Sequence, residues 1–111
     1  MTWTLREAVQ RHVDLFNAAV RSGDYSDFLA TFADDAVMRF VGVPAGPFRG
    51  IGEIAAAYAA QPPSGTITIR SIEEVSPDTA RVAVDYDTGG SGSMTVRWRD
   101  GQVVDLEVSF D

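Results

Sequence analysis

His12 is the only histidine in the chain, and it sits between Val9 and Phe16 on a stretch whose apolar residues recur every three or four positions. Imidazole is the one side chain here whose ordinary pKa lies near neutrality. In apolar surroundings it stays neutral near pH 7, donating from one nitrogen and accepting at the other. That suits a general acid/base, or a hydrogen-bond partner for a bound molecule. It equally suits a core histidine satisfied by a carbonyl, a tyrosine or a water. Two acidic pairs compete for attention. Asp34-Asp35 has the look of a paired-carboxylate site, but aspartate bonds its own backbone in turns, so the pair is expected to cap a turn before a strand. Asp85 and Asp87 flank Tyr86 and share a strand face. Val82, Val84 and Tyr86 form the apolar set there, which turns the two acids outward, toward Arg97 or Arg99.

Missing residue types narrow the chemistry further. With no cysteine there is no thiol nucleophile, disulfide or thiolate metal site. Lysine is absent too, and arginine carries all nine positive charges, which removes Schiff-base chemistry and a phosphate-loop lysine. One histidine cannot build a multi-histidine cage, so neither a metal nor another cofactor is expected. A net charge of −7 disfavours nucleic acid and anionic membrane as partners. The glycine-serine run Gly89–Ser93 lacks the lysine and following helix of a phosphate cradle and reads as a flexible hairpin tip. Trp3, Trp98 and the six phenylalanines read as core or interface, since no basic groove accompanies them. No apolar run reaches the ~18 residues of a membrane span, and Met1–Glu7 shows no export signal, so a cytoplasmic location is expected.

The elements that must position these groups follow from periodicity. Thr4 and Glu7 have capping-box spacing and Gly23 supplies a stop, which predicts a helix between them. Its apolar face carries Leu5, Ala8, Val9, Val13, Phe16, Ala19 and Val20. Asp24 is expected to cap a second, short helix burying Phe28, Leu29 and Phe32. Val37–Val41 reads as a strand, 42–49 as a loop, and Ile51–Ala60 as a helix turning Ile51, Ile54, Ala55 and Tyr58 inward. Strands are predicted over Thr66–Val75, Ala80–Thr88, Met94–Arg99 and Val103–Phe110, with a bulge near Ser71 and a tight turn at Asp100-Gly101. With no repeat or linker, residues 1–111 form one domain.

Phe32-Ala33-Asp34-Asp35-Ala36 and, fourteen residues on, Gly50-Ile51-Gly52-Glu53-Ile54 mark the two junctions of this layout. Their spelling resembles the SnoaL-like and ketosteroid-isomerase branch of the nuclear transport factor 2-like superfamily, over about Leu5 to Phe110. The resemblance implies an α+β fold, a cone-shaped α+β barrel with three N-terminal helices packed in the concave face of a strongly curved, mostly antiparallel sheet. It also implies sheet-to-sheet homodimers. Epoxide-opening relatives use Asp and Arg together, a role Asp85 and Asp87 could take only if they faced inward. Matched to the isomerases, the strand aspartate base falls on Phe40 and the protonated aspartic acid on Met94. The helix tyrosine falls on Phe16 or His12, one turn apart. Neither phenylalanine nor methionine can move a proton, so ketosteroid isomerisation is not expected.

Within that fold, periodicity points His12, Phe16, Met38, Phe40, Tyr58, Val84, Tyr86, Met94, Val96, Trp98, Leu106, Val108 and Phe110 at the pocket. Such a cavity suits a small hydrophobic or aromatic metabolite, polyketide- or terpenoid-like. The expected role is a SnoaL-like small-molecule pocket protein, an isomerase, cyclase or lyase with His12 as its one general acid/base. The alternative is a non-catalytic ligand-binding or dimerisation domain whose pocket is filled by its own side chains.

Overall fold

The computed structural model describes residues 3–111. Helix α1 (Leu5–Ser22) begins at a complete capping box: Thr4 Oγ1 accepts from the Glu7 N–H at 3.1 Å, and Glu7 Oε1 accepts from the Thr4 N–H at 3.0 Å. It ends at Gly23, whose φ of 79° lets its N–H reach the Ala19 carbonyl at 2.8 Å. Leu5, Ala8, Val9, His12, Val13 and Ala19 are buried along one face. The short helix α2 (Ser26–Leu29) starts where Asp24 Oδ1 accepts from the Ser26 N–H at 2.9 Å. Phe28 is its buried residue. Phe32, expected on this helix, belongs instead to the next strand, because Thr31 Oγ1 donates to the Phe28 carbonyl at 2.7 Å and ends the helix. Trp3, expected in a core or interface, is 40% exposed, with the Arg11 guanidinium 4.6 Å from its ring centroid.

Strand β1 (Phe32–Val41) is followed by the two-residue β2 (Phe48–Arg49) and by helix α3 (Gly50–Ala60). Four longer strands complete the chain: β3 (Ile67–Ser76), β4 (Thr79–Tyr86), β5 (Ser91–Arg99) and β6 (Gln102–Phe110). The sheet order is β2-β1-β6-β5-β4-β3, so the sheet curves without closing. Among the described residues only β1 and β6 run parallel, and every other pair is antiparallel. The expected bulge in β3 appears as a register shift between Ile69 and Ser71. Asp100 and Gly101 both take positive φ, 53° and 80°, as a two-residue hairpin of this hand requires.

Three expectations about polar segments are corrected. Asp34 and Asp35 do not cap a turn; β1 starts before them, with a register irregularity between Phe32 and Val37. Both are exposed, and Asp35 accepts from Arg99 at 2.8 Å. Asp85 pairs with Arg70 at 3.1 Å rather than with Arg97 or Arg99. Register explains this, since Arg97 stands opposite Thr79 and Asp105 while Asp85 stands opposite Thr68 and Ser91. Asp87 accepts from the Thr66 and Thr68 hydroxyls across the same edge. Finally, Gly89–Ser93 is not all hairpin tip: β5 already starts at Ser91. Gly92 is buried there, and it must be glycine because a Cβ would collide with the Ser109 carbonyl and press on the Tyr86 ring.

Two contacts fix the helices on the sheet. Asn17 forms a closed pair with the backbone of Ile67, donating to its carbonyl and accepting from its N–H, each at 2.9 Å. Phe28, 1% exposed, sits at the centre of an aromatic cluster. Its ring centroid lies 5.1 Å from His12, 5.7 Å from Phe16, 5.2 Å from Phe32 and 5.6 Å from Tyr58, so it touches α1, β1 and α3 at once. Replacing Phe28 by alanine empties that junction, and equilibrium denaturation of Phe28→Ala is expected to show a loss of roughly 3–5 kcal/mol. A loss below about 1 kcal/mol would mean that the neighbouring rings close the gap.

Candidate functional site

The curved sheet and the helices enclose an inner cavity of about 140 Å³. Helix α1 contributes His12 and Phe16, α2 contributes Phe28, and α3 contributes Tyr58. The sheet supplies Phe40, Ile67, Val84, Tyr86, Ser93, Met94, Leu106, Val108 and Phe110, and Pro63 closes the helical side. A second chamber of about 470 Å³ lies outside it. Phe16, Phe40, Tyr58, Pro63, Tyr86 and Phe110 line both, so the two spaces share a wall of mostly aromatic rings. The outer chamber reaches solvent past Val43, Ala45, Gln61, Ser64 and Thr88. Along its sheet side, Phe110 stacks between Phe40 at 6.2 Å and Tyr86 at 5.7 Å, and Phe48 meets the far side of Phe40 edge-on at 6.2 Å. A broader cleft of about 700 Å³ lies between α1, α2 and α3, and Tyr58 and Pro63 separate it from the other two.

His12 is 4% exposed, and its Nδ1 is buried with no hydrogen-bond partner. Its ring packs on Phe28 and, at 6.0 Å, on Phe32. Burial among these groups lowers its pKa to about 4, so it is neutral at physiological pH. Two phenols share the lining. Burial, and then the neighbouring Tyr25, raise the pKa of Tyr58; burial, and then Asp111, raise that of Tyr86. Tyr25 stacks on Tyr58 at 5.2 Å from the far side. The lining therefore presents uncharged polar groups in an apolar wall, with no Asp, Glu, Arg or Lys among them.

Ten of the pocket positions read from the sequence line the inner cavity: His12, Phe16, Phe40, Tyr58, Val84, Tyr86, Met94, Leu106, Val108 and Phe110. Met38 lines the outer chamber. Val96 and Trp98 lie in the buried core and line neither space, because β5 carries them past the cavity toward the Asp100-Gly101 turn. Phe110 is 48% exposed, which places it at the mouth rather than in the depth. Phe28, Ile67, Ser93 and Pro63 were not read as lining. Phe28 carried a signal, as one of two large apolar residues, with Leu29, on the short α2 segment, but nothing local pointed it at His12 rather than at the general core. Val43, Ala45 and Phe48 of the outer chamber lie in a Pro/Gly-rich segment that has no periodicity to orient them.

The sequence matches the SnoaL-like domain family over residues 9–107. The chain belongs to that family. No curated protein matches it. Among solved structures, this SnoaL-like domain is similar to an NTF-2 like protein of unknown function from Burkholderia xenovorans LB400, with a TM-score of 0.73, 16% identity, and coverage of 96% of this chain and 84% of that one. A Mycobacterium tuberculosis protein solved in complex with estradiol-17beta-hemisuccinate gives a TM-score of 0.71 at 20% identity, covering 94% of each chain. A computationally designed 17-OHP binder gives 0.70 at 18% identity, covering 94% of this chain and 91% of the design. At these identities the likeness is one of fold.

A buried neutral histidine carries a pH signature. Its folded pKa, about 4, lies below the ordinary 6.5. The unfolded chain therefore binds the proton first as pH falls, and stability held above about pH 6.5 is lost on the way down to about pH 4. Between about pH 7.5 and about pH 5 the loss should be roughly 2 kcal/mol. Urea denaturation at both pH values should show that loss in the native SnoaL-like domain and not in His12→Leu. Equal slopes in the two proteins would mean that His12 is hydrated and titrates normally.

Proposed function

We propose that this SnoaL-like domain is a small-molecule pocket protein that holds a small hydrophobic or aromatic metabolite in the inner cavity and outer chamber. One observation carries the reading: a cavity touches His12, and His12 Nδ1 is buried without a partner. A buried imidazole left without hydrogen-bond partners costs about 1–3 kcal/mol, and a ligand that bonds the ring from the cavity offsets part of that cost. Two fold neighbours support a ligand role for such a concave face, one solved with estradiol-17beta-hemisuccinate and the other a designed 17-OHP binder.

The catalytic form of this reading is an isomerase, cyclase or lyase in which His12 is the one general acid/base. A histidine with a pKa of about 4 is a weak base at neutral pH. Its first role is therefore to orient the ligand by a hydrogen bond, with shape and exclusion of water contributing the rest. Ketosteroid isomerisation is outside this repertoire. Phe40 and Met94, at the positions where the resemblance places the two isomerase acids, both line the cavity as apolar groups. Turnover of a β,γ-unsaturated 3-ketosteroid should match the uncatalysed background, and Phe40→Asp alone should leave it there, because no oxyanion donor stands at Met94. Measured isomerisation by the native protein would overturn the matching of these strands.

The outer face of the sheet is assigned to a homodimer contact. Arg39 lies 2.8 Å from Asp105 and 3.6 Å from Glu107, and Arg97 and Thr95 border the same shallow depression. A face of alternating sign is self-complementary about a two-fold axis. Light scattering at micromolar concentration should give twice the 12.0 kDa chain mass, and a single-chain mass would remove the assignment.

A further inference from the structure

The two chambers differ in ways that constrain the ligand more tightly than hydrophobicity does. The inner one, at about 140 Å³, is close to the engineered apolar cavity of about 150 Å³ that holds one benzene ring. The outer one is more than three times larger and carries polar groups at its rim, Gln61, Ser64 and Thr88. No charged side chain lines the inner chamber, so an ionised group placed there would lose its hydration without gaining a counter-ion. The polar residues of its wall are His12, Tyr58, Tyr86 and Ser93, and the His12 ring makes no hydrogen bond with the described residues. A neutral imidazole has one donor nitrogen and one acceptor nitrogen, so a ligand meets either a donor or an acceptor, depending on the tautomer. A carbonyl or an ether could answer only one of these. A hydroxyl group donates and accepts, and so pairs with either.

We propose that the inner chamber takes a single uncharged ring bearing one hydroxyl group bonded to His12, while the rest of the molecule lies in the outer chamber against Phe40, Phe48 and Phe110. This rests on the ligand-binding reading given above and adds the chemistry and the size of the buried end. The polar rim then meets whatever second polar group the distal end carries.

Equilibrium dialysis of the native protein against four probes at neutral pH tests it. 4-Phenylphenol should bind about tenfold or more tightly than biphenyl, the gain expected of one good hydrogen bond in a dry site. Biphenyl-4-carboxylate should bind at least as weakly as biphenyl. 6-Phenyl-2-naphthol, whose hydroxyl-bearing end is two fused rings, should also fall about tenfold below 4-phenylphenol. In His12→Leu, with its fold checked by circular dichroism, 4-phenylphenol should drop to the level of biphenyl. Equal binding of biphenyl and 4-phenylphenol by the native protein would overturn the hydroxyl assignment while leaving a ligand-binding pocket in place. Equal binding of the naphthol and the phenol would overturn the single-ring limit. A preference for 4-phenylphenol that survives in His12→Leu would remove His12 as the partner. Binding of none of the four would sink the pocket reading itself, and this proposal with it.

Discussion

Phe28 is the junction on which the arrangement depends. Its helix is only four residues long and has no side-chain bond at the residue preceding its first turn, so local structure alone would not hold it. The ring is held from outside, by His12 and Phe16 of α1, Phe32 of β1 and Tyr58 of α3. In return it fixes the spacing between those three elements, and that spacing is the inner cavity. A cavity lined this way stays open because rigid rings meeting edge to face cannot collapse into it as flexible aliphatic chains would. The same cluster sets the electrostatics. Rings packed on His12 exclude water from it, and this holds the imidazole neutral.

The elements with strong periodicity are legible in the sequence itself. The capping box of α1, its glycine stop, the bulge in β3 and the Asp100-Gly101 turn each rest on a local rule that tertiary structure had no reason to override. Other features depend on partners distant in sequence. Asn17 reads as an unremarkable polar residue on α1, yet its amide closes on the backbone of Ile67 fifty residues away. Asp34 and Asp35 have turn chemistry, but β6 lies alongside and pulls the chain into extended pairing around them. Gly92 looks like part of a flexible run, whereas it is glycine so that the Ser109 carbonyl and the Tyr86 ring can come close. Sequence alone cannot tell a glycine needed for freedom from one needed for space.

The site divides along the same line. Alternation along β4 and β6 and the helical face around His12 brought most of the cavity-facing positions into view, since periodicity assigns a side chain to a face. It does not say how far along the face the cavity extends. Val96 and Trp98 are inward like Met94 but lie beyond the cavity, inside packed core. Nor can it say whether a buried histidine finds a partner, because that depends on atoms from several elements at once. The unpaired Nδ1 emerges only with the assembled structure.

The one parallel pairing has a consequence for how the chain is made. Strand β1 lies directly beside β6, with Val37 opposite Asp105 and Phe40 opposite Val108, so the earliest long strand waits for the latest. Until β6 emerges from the ribosome, β1 has only the two-residue β2 beside it, and although α1 can already dock on β3 and β4, no strand joins β1 to them. Pairing at such a separation is slow, because the entropy of closing the intervening chain must be met before its contacts form. During synthesis the nascent SnoaL-like domain thus exposes the very surfaces that later form its pocket, and it is at this stage, rather than after folding, that it most needs protection from aggregation.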